Sequence, residues 1–218
     1  MPPIPGHTQA LYCEAIWLLG EDGESSPSRV SVARTLGIGR ASAQQMLDRL
    51  VEMGLLGRRR MTLTAKGVRV AEELVRARRV AETYLHSFLG VSLTDLYETG
   101  DRWKAALDPA IETAMLDALG HPTVCPHGNP IPGEVGCDGA ARPVACLEPG
   151  ARFRLERIRH ELVRDRALVS YLETSGLVPG ELAAVRDVGP DGTIVVETPA
   201  GSVAISAHTG ERLLGVPA

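Results

Sequence analysis

The stretch SRVSVARTLGIGRASAQQMLDRLVEMGLLGRRRMTLTAKG, residues 28–67, decides the fold. Val30, Val32, Ala33 and Leu36 fall at helical spacing. Gly37-Ile38-Gly39 is a tight turn, and Ala41 to Met53 is a second helix with Ala43, Met46, Leu47, Leu50 and Val51 on its apolar side. Gly54 is a natural stop for that helix. Leu55–Leu56 and Met61–Leu63 then read as two short strands joined by the basic tip Arg58–Arg60. Helix, glycine turn, helix and basic hairpin is the order of a winged helix-turn-helix, which lays its second helix in the major groove of DNA.

The chemistry of the exposed positions agrees. Arg40, Ser42, Gln44 and Gln45 open the second helix. Glutamine pairs bidentately with adenine, arginine with guanine, and serine with a base edge or a phosphate. Arg58, Arg59 and Arg60 on the wing neutralise phosphates or reach the minor groove. The chain carries a net charge of −4, which by itself argues against nucleic acid. Between Arg29 and Arg69, however, nine arginines and lysines face only Asp48 and Glu52, a local charge of +7. A solvated helix face uses the same residue types, so the weight rests on pattern and charge together.

Upstream, Thr8 to Leu19 reads as a helix capped by Thr8, with Leu11, Ala15, Ile16, Leu18 and Leu19 as its stripe. Downstream, Val68 to Leu89 is a long helix and Gly90-Val91-Ser92 ends it. Leu93–Thr99, Asp101–Leu107 and Pro109–Leu119 follow as short amphipathic helices. After a DNA-binding unit these suit a dimer interface, since a two-fold dimer sets two recognition helices about one DNA turn apart. LAAVRDV, TIVVET and SVAIS near the C-terminus are strands spaced as in a small barrel. The expected division is 1–70 for DNA binding, 71–122 for dimerisation, 123–150 as a Cys/Pro/Gly-rich loop and 151–218 for the β part. No apolar run approaches the ~20 residues that span a bilayer, and the N-terminus lacks a basic leader. A cytoplasmic protein without a membrane partner is expected. No nucleophile triad, Gly-rich phosphate loop or HExxH is present, so no enzyme is expected.

In this order, the winged helix, the helical middle with Leu89-Gly90-Val91, the Arg102-Trp103 pair, the Gly128-Asn129-Pro130-Ile131-Pro132-Gly133 loop and the terminal strands resemble the diphtheria toxin repressor/MntR family. These are iron- or manganese-activated dimeric repressors. The tail, with Tyr171-Leu172, Gly176-Leu177 and Pro179-Gly180, is similar to the family's SH3-like FeoA-type domain. The resemblance implies a mainly α fold with a small β part: winged helix-turn-helix, helical dimerisation domain and C-terminal SH3-like barrel. It also implies a palindromic operator bound by a homodimer. The wing is shorter than is usual in the family.

The resemblance further implies two divalent-metal sites. Their positions fall on Leu11, Arg78, Glu82, Tyr97, Asp101, Lys104 and Ala105, with Arg164 and Ala167 for the SH3-like domain. Of the expected His-and-Glu pair on the long helix, only Glu82 is kept. Arg78 and Lys104 put cations where the metal should sit, and neither offers it a lone pair. The usual Fe²⁺ or Mn²⁺ sites are therefore expected to be absent, with Arg78 pairing to Glu82 or Asp101 instead. Glu82 with His86, and Glu98 with Asp101, have helical spacing for a new hard-metal site, but ordinary surface charge explains them as well.

That loss directs attention to CPHGNPIPGEVGCDGAARPVAC, residues 125–146. Cys125, His127, Cys137 and Cys146 have the spacing C-x-H-x9-C-x8-C, which lacks the paired knuckles of a zinc ribbon. Three thiolates on a pliable backbone suit an iron–sulfur cluster, 4Fe–4S being the candidate form, with His127 or Asp138 as fourth ligand. Zn²⁺ in Cys₃His coordination is the main rival, and a scaffold role for Cys125 and His127 is the plain alternative. Cys13 reads as a core or surface thiol. The function expected from the sequence is an iron- or redox-responsive repressor sensing through this loop. The alternatives are a zinc-bound regulator and a constitutive, metal-independent one.

Overall fold

The computed structural model describes residues 6–58, 61–135 and 141–218. The chain forms two compact units, with the division between Ala77 and Arg78. That division falls inside one helix.

The first unit holds α1 (His7–Glu21), α2 (Arg29–Leu36), α3 (Arg40–Glu52) and the start of α4 (Ala65–Leu89). α1 begins one residue before Thr8, so Thr8 does not cap it; the N-cap is Gly6, without a side-chain bond. α2 is fixed at its start by a reciprocal cap, in which the Ser28 hydroxyl accepts from Ser31 N–H and the Ser31 hydroxyl accepts from Ser28 N–H. The Glu24 carboxylate accepts from both Ser28 N–H and the Ser31 hydroxyl, at 3.0 and 2.8 Å. Tyr12, Cys13, Ile16, Val32, Leu47, Leu50, Leu55, Leu56 and Ala71 bury a common aliphatic core. Among the described residues, the wing is reduced from the two expected strands to one antiparallel bridge, Leu56 to Leu63. Its closing bonds run from Gly57 N–H to Thr62 C=O (2.9 Å) and from Thr64 N–H to Leu55 C=O (3.0 Å). The burial of Leu55 and Leu56 anchors this short hairpin.

The second unit continues α4 and adds α5 (Leu93–Lys104), α6 (Pro109–Leu119), α7 (His160–Val163), α8 (Arg166–Thr174) and α9 (Ala207–Gly210). α5 is one helix, not the two expected on either side of Gly100. Its start is tied down by the Ser92 side chain and by Glu173 of α8, which accepts from Leu93 N–H and Thr94 N–H. α6 is capped by Asp108, with Pro109 at its first turn as the sequence suggests.

Six strands build an antiparallel sheet: β1 (Arg142–Pro143), β2 (Arg152–Ile158), β3 (Leu182–Val188), β4 (Ile194–Thr198), β5 (Gly201–Ile205) and β6 (Leu213–Pro217). Their order is β1-β6-β2-β3-β4-β5. The last three expected strands are β3, β4 and β5. β2 and β6 were not marked by the sequence, because β2 alternates arginine with Phe153, Leu155 and Ile158, and β6 carries Gly215. The inward residues of β2 to β6 bury a second core with Val144, Leu162, Leu172 and Leu177.

Candidate nucleic-acid interface and metal centre

In the first unit, the capped α2 and the glycine turn present α3 with Ala43, Leu47 and Leu50 turned inward. Arg40, Ser42 and Gln45 are exposed. Gln44 differs from them: its amide donates to both carboxylate oxygens of Asp48, at 2.7 and 2.8 Å, and so is engaged along the helix. Arg29, Arg34 and Arg49 are also exposed, as is Arg58 at the wing. Arg59 and Arg60 lie outside the described residues.

In the second unit, the inner face of α4 becomes polar. The stripe Ala71, Val75, Leu85 is interrupted by Arg78, Arg79 and Glu82, each at most 2% exposed. Burying three charges costs several kcal/mol apiece unless each is paired. Glu82 meets Arg78 Nε at 3.6 Å, and Arg78 Nη1 stands 3.9 Å from Asp101 Oδ1. Lys104 Nζ, one turn along α5, lies 2.6 Å from the same Asp101 oxygen. The Arg78 guanidinium sits over the Tyr97 ring at 5.1 Å, where the ring's negative face attracts it. Tyr97 meets His160 edge to face, at 5.4 Å between ring centres. Burial, then the charges of Arg78 and Arg79, hold the His160 pKa well below the usual imidazole value. Arg79 donates to the carbonyl of Pro130.

The Cys125–Gly133 loop closes over this face. Cys125 N–H donates to Asn129 C=O at 2.9 Å, and Gly128 N–H to Cys125 C=O at 2.7 Å. Asn129, 2% exposed, donates to Ile158 C=O and accepts from Arg157 Nε. Gly128 has a φ of +79° and is packed so tightly that a β-carbon would fall 1.8 Å from the Glu156 carbonyl oxygen. Only glycine fits both demands.

The loop delivers Cys125 and His127, 3% and 0% exposed, to Glu82. The Cys125 sulfur, a His127 ring nitrogen and a Glu82 oxygen all lie within 4.8 Å of one another. His127 Nε2 is held 3.2 Å from the Leu93 carbonyl. His127 Nδ1 is buried without a hydrogen-bond partner, facing Glu82 Oε2 at 3.8 Å. Burial opposes a charge on His127, but Cys125 and Glu82 beside it outweigh that and push its pKa up to about 10.

A thiolate, an imidazole and a carboxylate form a donor set for a divalent ion with affinity for sulfur and nitrogen. Donors sit about 2.0–2.3 Å from zinc, so the three atoms have at most about 1–1.5 Å to close. The unpartnered Nδ1 and this convergence fit a metal. Arg78 and Lys104 hold no lone pair to offer one.

The remaining expected positions do not join this group. Leu11 is half-buried on α1 and has no donor atom, and Ala105, Arg164 and Ala167 are exposed. Cys146 is exposed on the 3₁₀ turn Val144–Cys146 that follows β1. Cys137 lies outside the described residues. Cys13 is fully buried in the first unit's core. Sequence reasoning assigned no role to Arg79, and it marked Gly128 and Asn129 only as part of the Gly128–Gly133 motif. The helical stripe was the available signal for Arg79, since the period that buries Val75 and Leu85 also buries Arg78, Arg79 and Glu82.

A winged helix-turn-helix, a helical segment with a buried polar centre and a C-terminal antiparallel sheet together define a DNA-binding regulator rather than an enzyme. Comparison with known proteins narrows the class. Residues 7–60 match the N-terminal DNA-binding domain of the iron-dependent repressors, residues 64–133 their metal-binding and dimerisation domain, and residues 142–215 the FeoA domain. The chain belongs to the iron-dependent repressor family, that of the diphtheria toxin repressor, whose members are transcriptional repressors. It is 27% identical over 208 residues to the iron-dependent repressor IdeR of Mycobacterium leprae, covering 88% of this chain and 89% of that one. It is 25% identical over 201 residues to the diphtheria toxin repressor of Corynebacterium efficiens, covering 87% and 86%. In fold it resembles a manganese-dependent transcriptional repressor in complex with manganese, with a TM-score of 0.84 at 23% identity over 96% of this chain and 100% of that one. It also resembles the T. acidophilum IdeR, at 0.76 and 22%, over 99% and 100%.

Proposed function

We propose that this protein is a cytoplasmic, homodimeric repressor that binds a palindromic operator through α3 and the wing, and that its DNA affinity responds to a divalent metal held by Glu82, Cys125 and His127. Residues 1–70 bind DNA, 71–122 dimerise, the loop within 123–150 supplies two of the metal ligands, and 151–218 form the FeoA-type domain. The DNA-binding part is supported by the open Arg40, Ser42 and Gln45 face on a buttressed helix-turn-helix. The observation that carries the sensing part is the buried, unpartnered His127 Nδ1 facing Glu82 beside Cys125. The iron–sulfur reading draws no support from the described residues: Cys146 is exposed and is not part of the Glu82, Cys125 and His127 group, and Cys137 lies outside them.

Selection of duplexes from a random library by the full-length dimer tests this. The expected product is a two-fold-symmetric site with half-sites about one helical turn apart, bound less tightly as salt rises. Zn²⁺ or Fe²⁺ is expected to tighten binding at least tenfold over chelator, and Cys125→Ser with His127→Ala to abolish that response. Identical affinity with metal and with chelator overturns the sensing part and leaves a constitutive DNA-binding protein. An anaerobically purified brown protein absorbing near ~400 nm, the signature of thiolate-bound iron–sulfur clusters, overturns the proposed ligand set.

A further inference from the structure

A second feature of the buried polar centre shares Glu82 with the proposed sensing group and extends from it to α5. Two carboxylates, Glu82 and Asp101, are matched by two cations that belong to the chain itself. Arg78 is 1% exposed and reaches both of them, at 3.6 and 3.9 Å. Lys104 is 6% exposed and holds Asp101 at 2.6 Å. The arrangement joins α4 to α5 at the level of Gly100, where the missing side chain lets the two helices close. These are positions where the family resemblance implies a divalent ion, and the residues present do not fit one. Arginine and lysine donate only, and a further +2 charge here would meet carboxylates already neutralised one for one. At Glu82, Cys125 and His127 the situation differs, because a thiolate brings additional negative charge with the ligand atoms.

We propose that Arg78 and Lys104 are tethered cations that take the place of a divalent ion between α4 and α5, so that this part of the helical framework is set without metal. The pairing of α4 with α5 is then permanent, and metal response is confined to the single group built on Cys125 and His127. This goes beyond the function proposed above and does not depend on DNA binding.

The test uses the full-length Cys125→Ser/His127→Ala chain, which removes the loop ligands, with Mn²⁺ alone as the probe. Equilibrium dialysis is expected to show no stoichiometric Mn²⁺, and the Tm is expected to be the same with Mn²⁺ and with chelator. In the same background, Lys104→Met, close to lysine in length but uncharged, is expected to lower the Tm by about 5 °C or more. Lys104→Arg, which keeps the charge, is expected to recover most of that loss. One Mn²⁺ bound per chain in the background protein overturns the proposal, as does a Lys104→Met variant with an unchanged Tm. A Lys104→Arg variant that falls as far as Lys104→Met also overturns it, since shape rather than charge would then matter. Circular dichroism of each variant before melting establishes that a folded chain is being compared.

Discussion

Gly100 of α5 lies against Glu82 of α4 so closely that a β-carbon on it would stand 2.6 Å from Glu82 Cγ. It would also stand 3.4 Å from the Arg78 carbonyl oxygen and 3.5 Å from Arg78 Cγ. Glycine within a helix normally costs about 1 kcal/mol relative to alanine, so its presence here has a packing reason. Gly100→Ala recovers that propensity but overpacks the contact, at about 1–3 kcal/mol. A net loss of about 1 kcal/mol is expected in urea denaturation, together with weaker metal binding as Glu82 is displaced. A variant more stable than the parent would contradict the close approach.

On α3, two adjacent glutamines are expected to behave differently. Gln45 is open to solvent, whereas Gln44 is bonded to Asp48. Loss of a bidentate base contact costs about 1–3 kcal/mol, so Gln45→Ala should weaken operator binding about tenfold and relax the preference at one base pair. Gln44→Ala should change affinity by about twofold or less, within the range of an ordinary surface substitution. Arg58→Ala should weaken all duplexes alike and reduce the salt slope by about 1. Fluorescence anisotropy at several salt concentrations separates these outcomes; equal losses for the two glutamines would mean that Gln44 abandons Asp48 for DNA.

The described cysteines should divide by exposure. Burial pushes the Cys13 thiol up to about 11, and Cys125 is 3% exposed, while Cys146 is exposed. Only the thiolate reacts with disulfide reagents. In a Cys137→Ser chain treated with chelator, one thiol is expected to react quickly and two only on unfolding, as counted by absorbance of the released thiolate. Fast labelling of Cys125, identified by mass spectrometry, would show that the loop opens in solution.

Glu173 links acidity to the helical framework. Its carboxylate accepts from Leu93 N–H at 2.9 Å, Thr94 N–H at 3.0 Å and the Thr94 hydroxyl at 2.5 Å. Partial burial works against the charge, but the bonds from Thr94 and Leu93 prevail and hold its pKa below the ordinary glutamate value. A group depressed in the folded state contributes its stability above its unfolded pKa and loses it as pH falls through the folded value. Glu173→Gln should therefore cost about 0.5–1 kcal/mol at neutral pH, the scale of charge-assisted bonds partly open to solvent. The gap between parent and variant should narrow below about pH 4. Urea midpoints at pH 7 and in acid measure this, and a gap that widens in acid would reverse the assignment.

Most elements could be placed from periodicity alone. α2, α3 and the three strands β3, β4 and β5 follow the apolar spacing closely, because each buries one face and local pattern sets that face. The misplacements have local causes. Gly100 suggested a break where the chain needs a gap, since glycine's two uses look alike in a sequence. Among its described residues the wing keeps one bridge, with Leu55 and Leu56 buried in the first unit's core and Met61 and Leu63 packed partly against it. β2 was hidden by Arg152, Arg154 and Arg157, which leave only Phe153, Leu155 and Ile158 to mark the inner face.

By itself the sequence determined the helix-turn-helix, its charge, and the fact that Arg78 and Lys104 stand where metal donors were expected. It also placed three cysteines and a histidine together on one loop. Only the tertiary structure decided which of them meet. Cys125 and His127 turn inward to Glu82, forty-odd positions earlier in the chain, because Gly128 and Asn129 pin the loop against β2. Cys146, nearer to Cys125 in sequence than Glu82 is, lies exposed on another turn. Spacing along the chain limits which donors can converge, but convergence itself is set by backbone bonds and close packing contributed by distant segments.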